Sequence, residues 1–224
     1  MDKYRFKQLL ESTLGNVKPL IIENLTTSLG TNYDSLSPEV QGLITTLNTQ
    51  IKKSGKQITD VHIGEEIKQE KITSRPDNGG VDQTALSKIT ELLVDLKSYL
   101  KVSATTIYNT ILQQQKSNPT KFNLDQPLSG YRSYTAQIEE FRRKVVDDGR
   151  TIEDVQRANC LPGFSQHHTG KAFDIVNQSP QWWNSNLPVK TWVENNCGNY
   201  GFEITYKTQG SLRIAEPWHL YYIG

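Results

Sequence analysis

Ser165-Gln166-His167-His168-Thr169-Gly170-Lys171-Ala172-Phe173-Asp174 is the stretch on which the reading of this chain turns. Its end, Ala172-Phe173-Asp174-Ile175-Val176, reads as a strand, with Phe173 and Ile175 on one face and Asp174 on the other. His167 lies seven residues before Asp174, and Gly170 between them lets the chain turn back so that both side chains reach one point. A second segment, Glu216-Pro217-Trp218-His219, runs into Leu220-Tyr221-Tyr222-Ile223, again strand-like. Pro217 holds Glu216 in extended backbone. Three of the four histidines thus sit beside carboxylates in two short segments.

Those residue types suit a catalytic zinc centre, which needs three N or O ligands and one open position. His167, Asp174 and His219 supply such a set. Glu216 would then stand near the metal without binding it, take a proton from the attacking water and return it to the leaving amine. The spacing is not the helical His-Glu-x-x-His arrangement. Taken singly, each piece has an ordinary explanation: a His-His pair caps a loop, a Glu-x-x-His arises by chance, an Asp ends a strand. Their co-occurrence in one aromatic-rich region carries the metal reading. His168 reads as a structural neighbour, and Cys160 and Cys197 as free thiols outside the ligand set.

Working outward, the two halves of the chain differ. Of 10 Tyr, 6 Phe and 4 Trp, only Tyr4, Phe6, Tyr33, Tyr99 and Tyr108 precede Pro119. Aromatic side chains carry much of a core's buried area, so the C-terminal half reads as the compact domain. The first 25 residues read as an amphipathic helix or helix pair with Phe6, Leu9, Leu10, Leu14 and Val17 in its stripe. Ser37-Pro38-Glu39 is a helix start, followed by Val40, Leu43, Ile44, Leu47 and Ile51 at helical spacing. The stretch from Lys52 to Gly80 is polar, and Arg75-Pro76-Asp77-Asn78-Gly79-Gly80 reads as a turn or linker. Further helices are predicted over 83–99 and 104–115. Trp182-Trp183 fall in a Pro- and Asn-rich loop, 177–188, where they either line a cleft or pack beneath it. The expected division is residues 1–80 as a mainly helical region and linker, and 83–224 as the site-bearing domain. The N-terminal region is either a small bundle or hairpin packed on that domain or an anchoring and assembly segment. His62 stands alone and suggests no chemistry.

Several classes are excluded. With Lys+Arg 25 against Asp+Glu 24, the chain lacks the broad positive field of backbone-driven nucleic-acid binding, so no nucleic-acid partner is expected. No run of about 18 apolar residues offers a transmembrane helix, so no membrane insertion is expected. No signal peptide is visible at the N-terminus. Two cysteines do not make a disulfide scaffold.

The pattern Ser165-x-His167-x-x-Gly170-x-Ala172-x-Asp174, followed by Glu216-x-x-His219, resembles the zinc site of the VanY-type D-alanyl-D-alanine carboxypeptidases. These are grouped with L-alanyl-D-glutamate endopeptidases as LAS-type zinc peptidases. Ser129-Gly130-Tyr131-Arg132-Ser133-Tyr134-Thr135-Ala136-Gln137 resembles the family's Ser-Gly-Tyr-Arg-Ser-Tyr-x-x-Gln segment, and Pro162-Gly163-Phe164-Ser165-Gln166-His167-His168-Thr169-Gly170 is close to the family's own string. Trp192 through Tyr200-Gly201-Phe202 is similar to the stretch before the last strands. The resemblance runs from about Pro127 to Gly224 and covers none of the first 80 residues.

The resemblance implies an α+β fold, with helices around a small antiparallel sheet that floors the cleft. It implies zinc (Zn2+) on His167, Asp174 and His219, and Glu216 as general base. Arg132 falls on the family's arginine, which faces the substrate and the developing oxyanion. Ser165 and Gln137 fall on positions that hydrogen-bond the substrate backbone, and Tyr131 and Trp218 are further candidate substrate contacts. The implied activity is hydrolysis of the peptidoglycan stem peptide, in the manner of a D-alanyl-D-alanine carboxypeptidase. The alternatives are a phage-type L-alanyl-D-glutamate endopeptidase and a non-catalytic wall-binding or structural virion protein. Without a visible export signal, the chain is expected to be made in the cytoplasm and to reach the wall by phage lysis or virion delivery, with residues 1–80 meeting a virion or assembly partner.

Overall fold

The computed structural model describes residues 38–53, 75–207 and 214–224. The helical reading of residues 1–25, His62 and the 54–74 part of the polar stretch lie outside the described residues. Helix α1, Pro38–Lys53, begins at the expected Ser37-Pro38 signal and buries Ile44, Leu47 and Ile51, which recur at three- and four-residue spacing. Helix α2, Gln83–Ser103, is capped by the Asp82 side chain, which accepts the Ala85 N–H. It buries Ala85, Ile89, Leu92, Leu93, Leu96 and Leu100 along one stripe and runs four residues beyond the predicted end. Ala104, at φ −144°, breaks the helix before α3, Thr105–Ser117.

Helices α4, Tyr134–Val146, and α5, Ile152–Gln156, follow. After strand β1, Ala172–Asp174, come the short α6, Pro180–Ser185, and α7, Leu187–Asn196. Strands β2, Phe202–Ile204, and β3, His219–Tyr222, complete a three-stranded sheet of order β1-β3-β2 in which both pairs are antiparallel. Helices with one small antiparallel sheet make this an α+β fold. No described helix is long and apolar enough to cross a membrane.

Two expectations need correction. Strand β1 stops at Asp174, because Val176 takes φ +60° in a tight turn closed by the Asn177 N–H on the Ile175 carbonyl. Its three residues are buried on both faces, so no alternation marks it. The Trp182-Trp183 loop is instead helix α6, capped by Ser179 with Pro180 in its first turn. Trp183 is fully buried and its indole N–H donates to the Asn177 carbonyl, while Trp182 meets the edge of Phe122. These rings pack.

The described chain divides into two units. One holds α1 and residues 138–156, in which Ile138, Phe141, Val145 and Val155 are buried. The other holds residues 75–137 and 157–224. Its core gathers the α2 stripe with Phe173, Ile175, Trp183, Val189, Val193, Phe202, Trp218 and Leu220, so that helix and sheet bury a common apolar layer.

Within that second unit the strip 75–82 does more than a linker does. The Arg75 N–H donates to the Gly163 carbonyl, the Asn78 N–H to His168 and the Asp82 N–H to Gly170. The Asn78 side chain donates to the Thr169 carbonyl at 2.7 Å. The strip therefore runs along the turn that presents His167. Gly170 sits at φ +69°, and a Cβ there would lie 2.1 Å from the Gly80 carbonyl oxygen. Gly170→Ala is expected to cost about 1–2 kcal/mol for the left-handed backbone alone, and more for displacing the strip. Thermal denaturation checks this, and an unchanged midpoint would show that the strip yields freely.

Candidate metal centre

In the β1–β3 register Asp174 stands directly opposite His219. The cross-strand pair brings the His219 Nδ1 to 3.0 Å from Asp174 Oδ1. His167 arrives from a 3-10 turn, Gln166–Thr169, whose start is capped by the Ser165 hydroxyl and whose end is Gly170. Its Nε2 lies 3.5 Å from Asp174 Oδ2. One ligand atom from each of His167, Asp174 and His219 falls within 4.8 Å of the others, and all three residues are buried.

The hydrogen bonds behind the histidines fix which nitrogen faces inward. His167 Nδ1 is 2.6 Å from the Gly130 carbonyl oxygen. A carbonyl can only accept, so Nδ1 carries a proton, and Nε2 is the nitrogen on the Asp174 side. His219 Nε2 is 2.9 Å from Gln166 Oε1, which leaves Nδ1 facing Asp174. Burial alone would raise the Asp174 carboxyl, but His167 and His219 outweigh it and hold it well below the usual carboxylate range. Two histidine ring nitrogens and a carboxylate converging in a buried site fit a divalent metal of zinc's preferences.

Glu216 is buried in the turn before β3. Its N–H donates to the Tyr206 carbonyl at 2.9 Å, and its own carbonyl accepts the His219 N–H at 3.0 Å. Arg132 is tied to the His167 turn by its backbone at both ends. Its N–H donates to the His167 carbonyl, and its carbonyl accepts the Nδ1–H of His168 at 2.7 Å. His168 is fully buried, accepts the Gly163 N–H on Nε2 and is pushed down by burial, so it stays neutral. It is the structural neighbour that the sequence suggests.

The expected substrate contacts divide. Gln137 is fully buried and its amide is already engaged: Oε1 accepts from Arg132 Nη1 at 3.0 Å and Nε2 donates to the Cys160 carbonyl. It holds the arginine, where the resemblance placed it against substrate. Trp218 is buried within the core, and the Ser165 hydroxyl caps the His167 turn. Tyr131 is half-buried and its hydroxyl donates to Asp77. Cys160 and Cys197 form no disulfide and lie outside the ligand set.

Asp77, Gln166 and Gln178 were not singled out beforehand. The Asp77 carboxylate accepts from Tyr131, from the Tyr134 N–H and from the Gly79 N–H. Burial tends to raise this carboxyl, yet those bonds hold it below its ordinary 3.8. A lowered folded pKa means that the stabilisation is present above that ordinary value and is lost as pH falls through the lower folded value. Asp77→Ala is expected to cost about 1–2 kcal/mol by stranding these donors, with the difference from wild type vanishing in strong acid. Denaturation as a function of pH checks both, and a pH-independent difference would remove the charge from the account.

Buried His167, Asp174 and His219 form a group that could hold a metal ion, with Glu216 three residues before His219. The VanY D-alanyl-D-alanine carboxypeptidase family model matches residues 97–224, and the chain belongs to that family. Its relatives include the carboxypeptidase candidate YodJ of Bacillus subtilis, 32% identical over 57% of this chain and 48% of that protein. They also include a D-alanyl-D-alanine carboxypeptidase of Enterococcus faecium, 28% identical over 43% of this chain and 29% of that one. The chain thus spans half or less of the length of these curated relatives. Among solved structures, DacB from Streptococcus pneumoniae D39 is 26% identical, with 66% of this chain and 69% of that one covered and a TM-score of 0.47.

Proposed function

We propose that the chain is a zinc-dependent peptidase that hydrolyses the stem peptide of peptidoglycan, acting as a carboxypeptidase on D-alanyl-D-alanine ends. The observation that carries this reading is the convergence of one ligand atom each from buried His167, Asp174 and His219 within 4.8 Å of one another. Family membership supports it.

His167, Asp174 and His219 would hold the ion, which supplies Lewis acidity toward the scissile carbonyl and the attacking water. Glu216 takes the proton from that water and hands it to the leaving amine. Its backbone is fixed at both N–H and carbonyl, so the carboxylate works from a set base. Arg132 offers a guanidinium either to the developing oxyanion or to the terminal carboxylate of the substrate. Gln137 keeps that guanidinium in place.

The test is digestion of purified peptidoglycan with and without a chelator, followed by mass spectrometry. Release of free D-alanine that the chelator abolishes supports the reading. Release of larger fragments would make the enzyme an endopeptidase, and no release by the zinc-loaded protein would make it a binding or structural protein.

A further inference from the structure

The buried imidazole of His219 has two neutral tautomers, and its two neighbours pull in opposite directions. On one side Asp174 Oδ1 lies 3.0 Å from Nδ1. A carboxylate there attracts the ring proton to Nδ1, and in that form the lone pair needed by a metal is gone. On the other side Gln166 Oε1 lies 2.9 Å from Nε2 and offers the proton an acceptor there. Gln166 is itself buried, and its Oε1 also accepts the Thr205 hydroxyl at 2.9 Å, so the oxygen end of the amide is held toward His219. Thr205 follows directly on β2, whereas His219 opens β3, so the bond joins neighbouring strands through the residue beside His167.

Resting on the zinc reading above, we propose that Gln166 is the positioning residue that makes His219 a metal donor. It does so by keeping the ring proton on Nε2 and the lone pair of Nδ1 toward the metal. Gln178 does less for Asp174. Its Nε2 donates to Asp174 Oδ2 at 2.7 Å, but the residue is exposed, so water replaces the donor when the side chain is lost.

Two measurements test this. The first is zinc affinity by competition with a chromogenic chelator on the full chain. Gln166→Leu is expected to weaken zinc binding about 10- to 100-fold. Gln166→Glu keeps an acceptor for Nε2–H and is expected to stay within about threefold of wild type. Gln178→Leu should fall well short of the Gln166→Leu loss. Equal affinity of Gln166→Leu and wild type, or a Gln166→Glu protein as weak as Gln166→Leu, overturns the proposal. The second is the ring tautomer of His219 in metal-free protein, read from long-range nitrogen–proton NMR correlations. Wild type is expected as Nε2–H, and a wild-type ring protonated on Nδ1 overturns the proposal even if Gln166→Leu does not fold. Wild-type protein that shows the Nε2–H tautomer but binds no zinc would sink the zinc reading and leave this hydrogen bond standing.

Discussion

Glu216→Ala is expected to keep about one zinc per chain and to lose roughly 100-fold or more in turnover, the usual scale for a missing general base. His219→Ala is expected to fail differently. It removes one of three inward-facing donors and leaves Asp174 without its cross-strand partner, so zinc affinity falls steeply and activity follows. The two residues are three apart in sequence and joined by the His219 N–H on the Glu216 carbonyl, so general damage to this turn would affect both alike. Metal content by atomic emission, measured beside turnover on a peptide ending in D-alanyl-D-alanine, separates the cases. A Glu216→Ala protein that came out without metal would make Glu216 a ligand. One that kept metal and full turnover would place the base elsewhere.

The clustering of His167, Asp174 and His219 was legible because its signals are local and chemically rare. His167, Gly170 and Asp174 lie in one short segment, and the left-handed Gly170 is the kind of position that only glycine fills easily. The strip 75–82 was not legible. Pro, Asn and Gly give the same composition whether the chain turns in solvent or runs along another loop, and the Asn78 bond to Thr169 spans 91 residues. Helix α6 could have been found. Ser179-Pro180 repeats the Ser-Pro start that correctly placed α1 at Ser37-Pro38, but the surrounding Asn and Pro residues suggested a loop. The early end of β1 could not, because valine prefers extended backbone and nothing in its identity announces φ +60° at Val176. Gln137 shows a further limit. An amide suits a substrate backbone and an arginine equally well, and its complete burial with bonds to Arg132 and Cys160 is not written in the residue type.

Arg132→Lys is expected to lower kcat/KM by about 100- to 1,000-fold, the scale seen when one donor to a developing oxyanion is removed, with zinc content unchanged. The expectation rests on how the residue is held. Its backbone is bonded to His167 and His168, so the side chain starts from a point fixed relative to the His167 turn. Its Nη1 is bonded to Gln137, which in turn is bonded to the Cys160 carbonyl, so one edge of the guanidinium is engaged. A lysine ammonium is a point charge without a fork and cannot hold the Gln137 bond and the substrate in one geometry. Gln137→Leu should give a smaller loss, because the guanidinium survives and only its anchor is gone. The split between kcat and KM then assigns the group that Arg132 meets. A loss confined to KM marks the substrate's terminal carboxylate, since that contact is present in the ground state, whereas a loss in kcat marks the oxyanion. Wild-type turnover in Arg132→Lys would place the guanidinium outside the reaction.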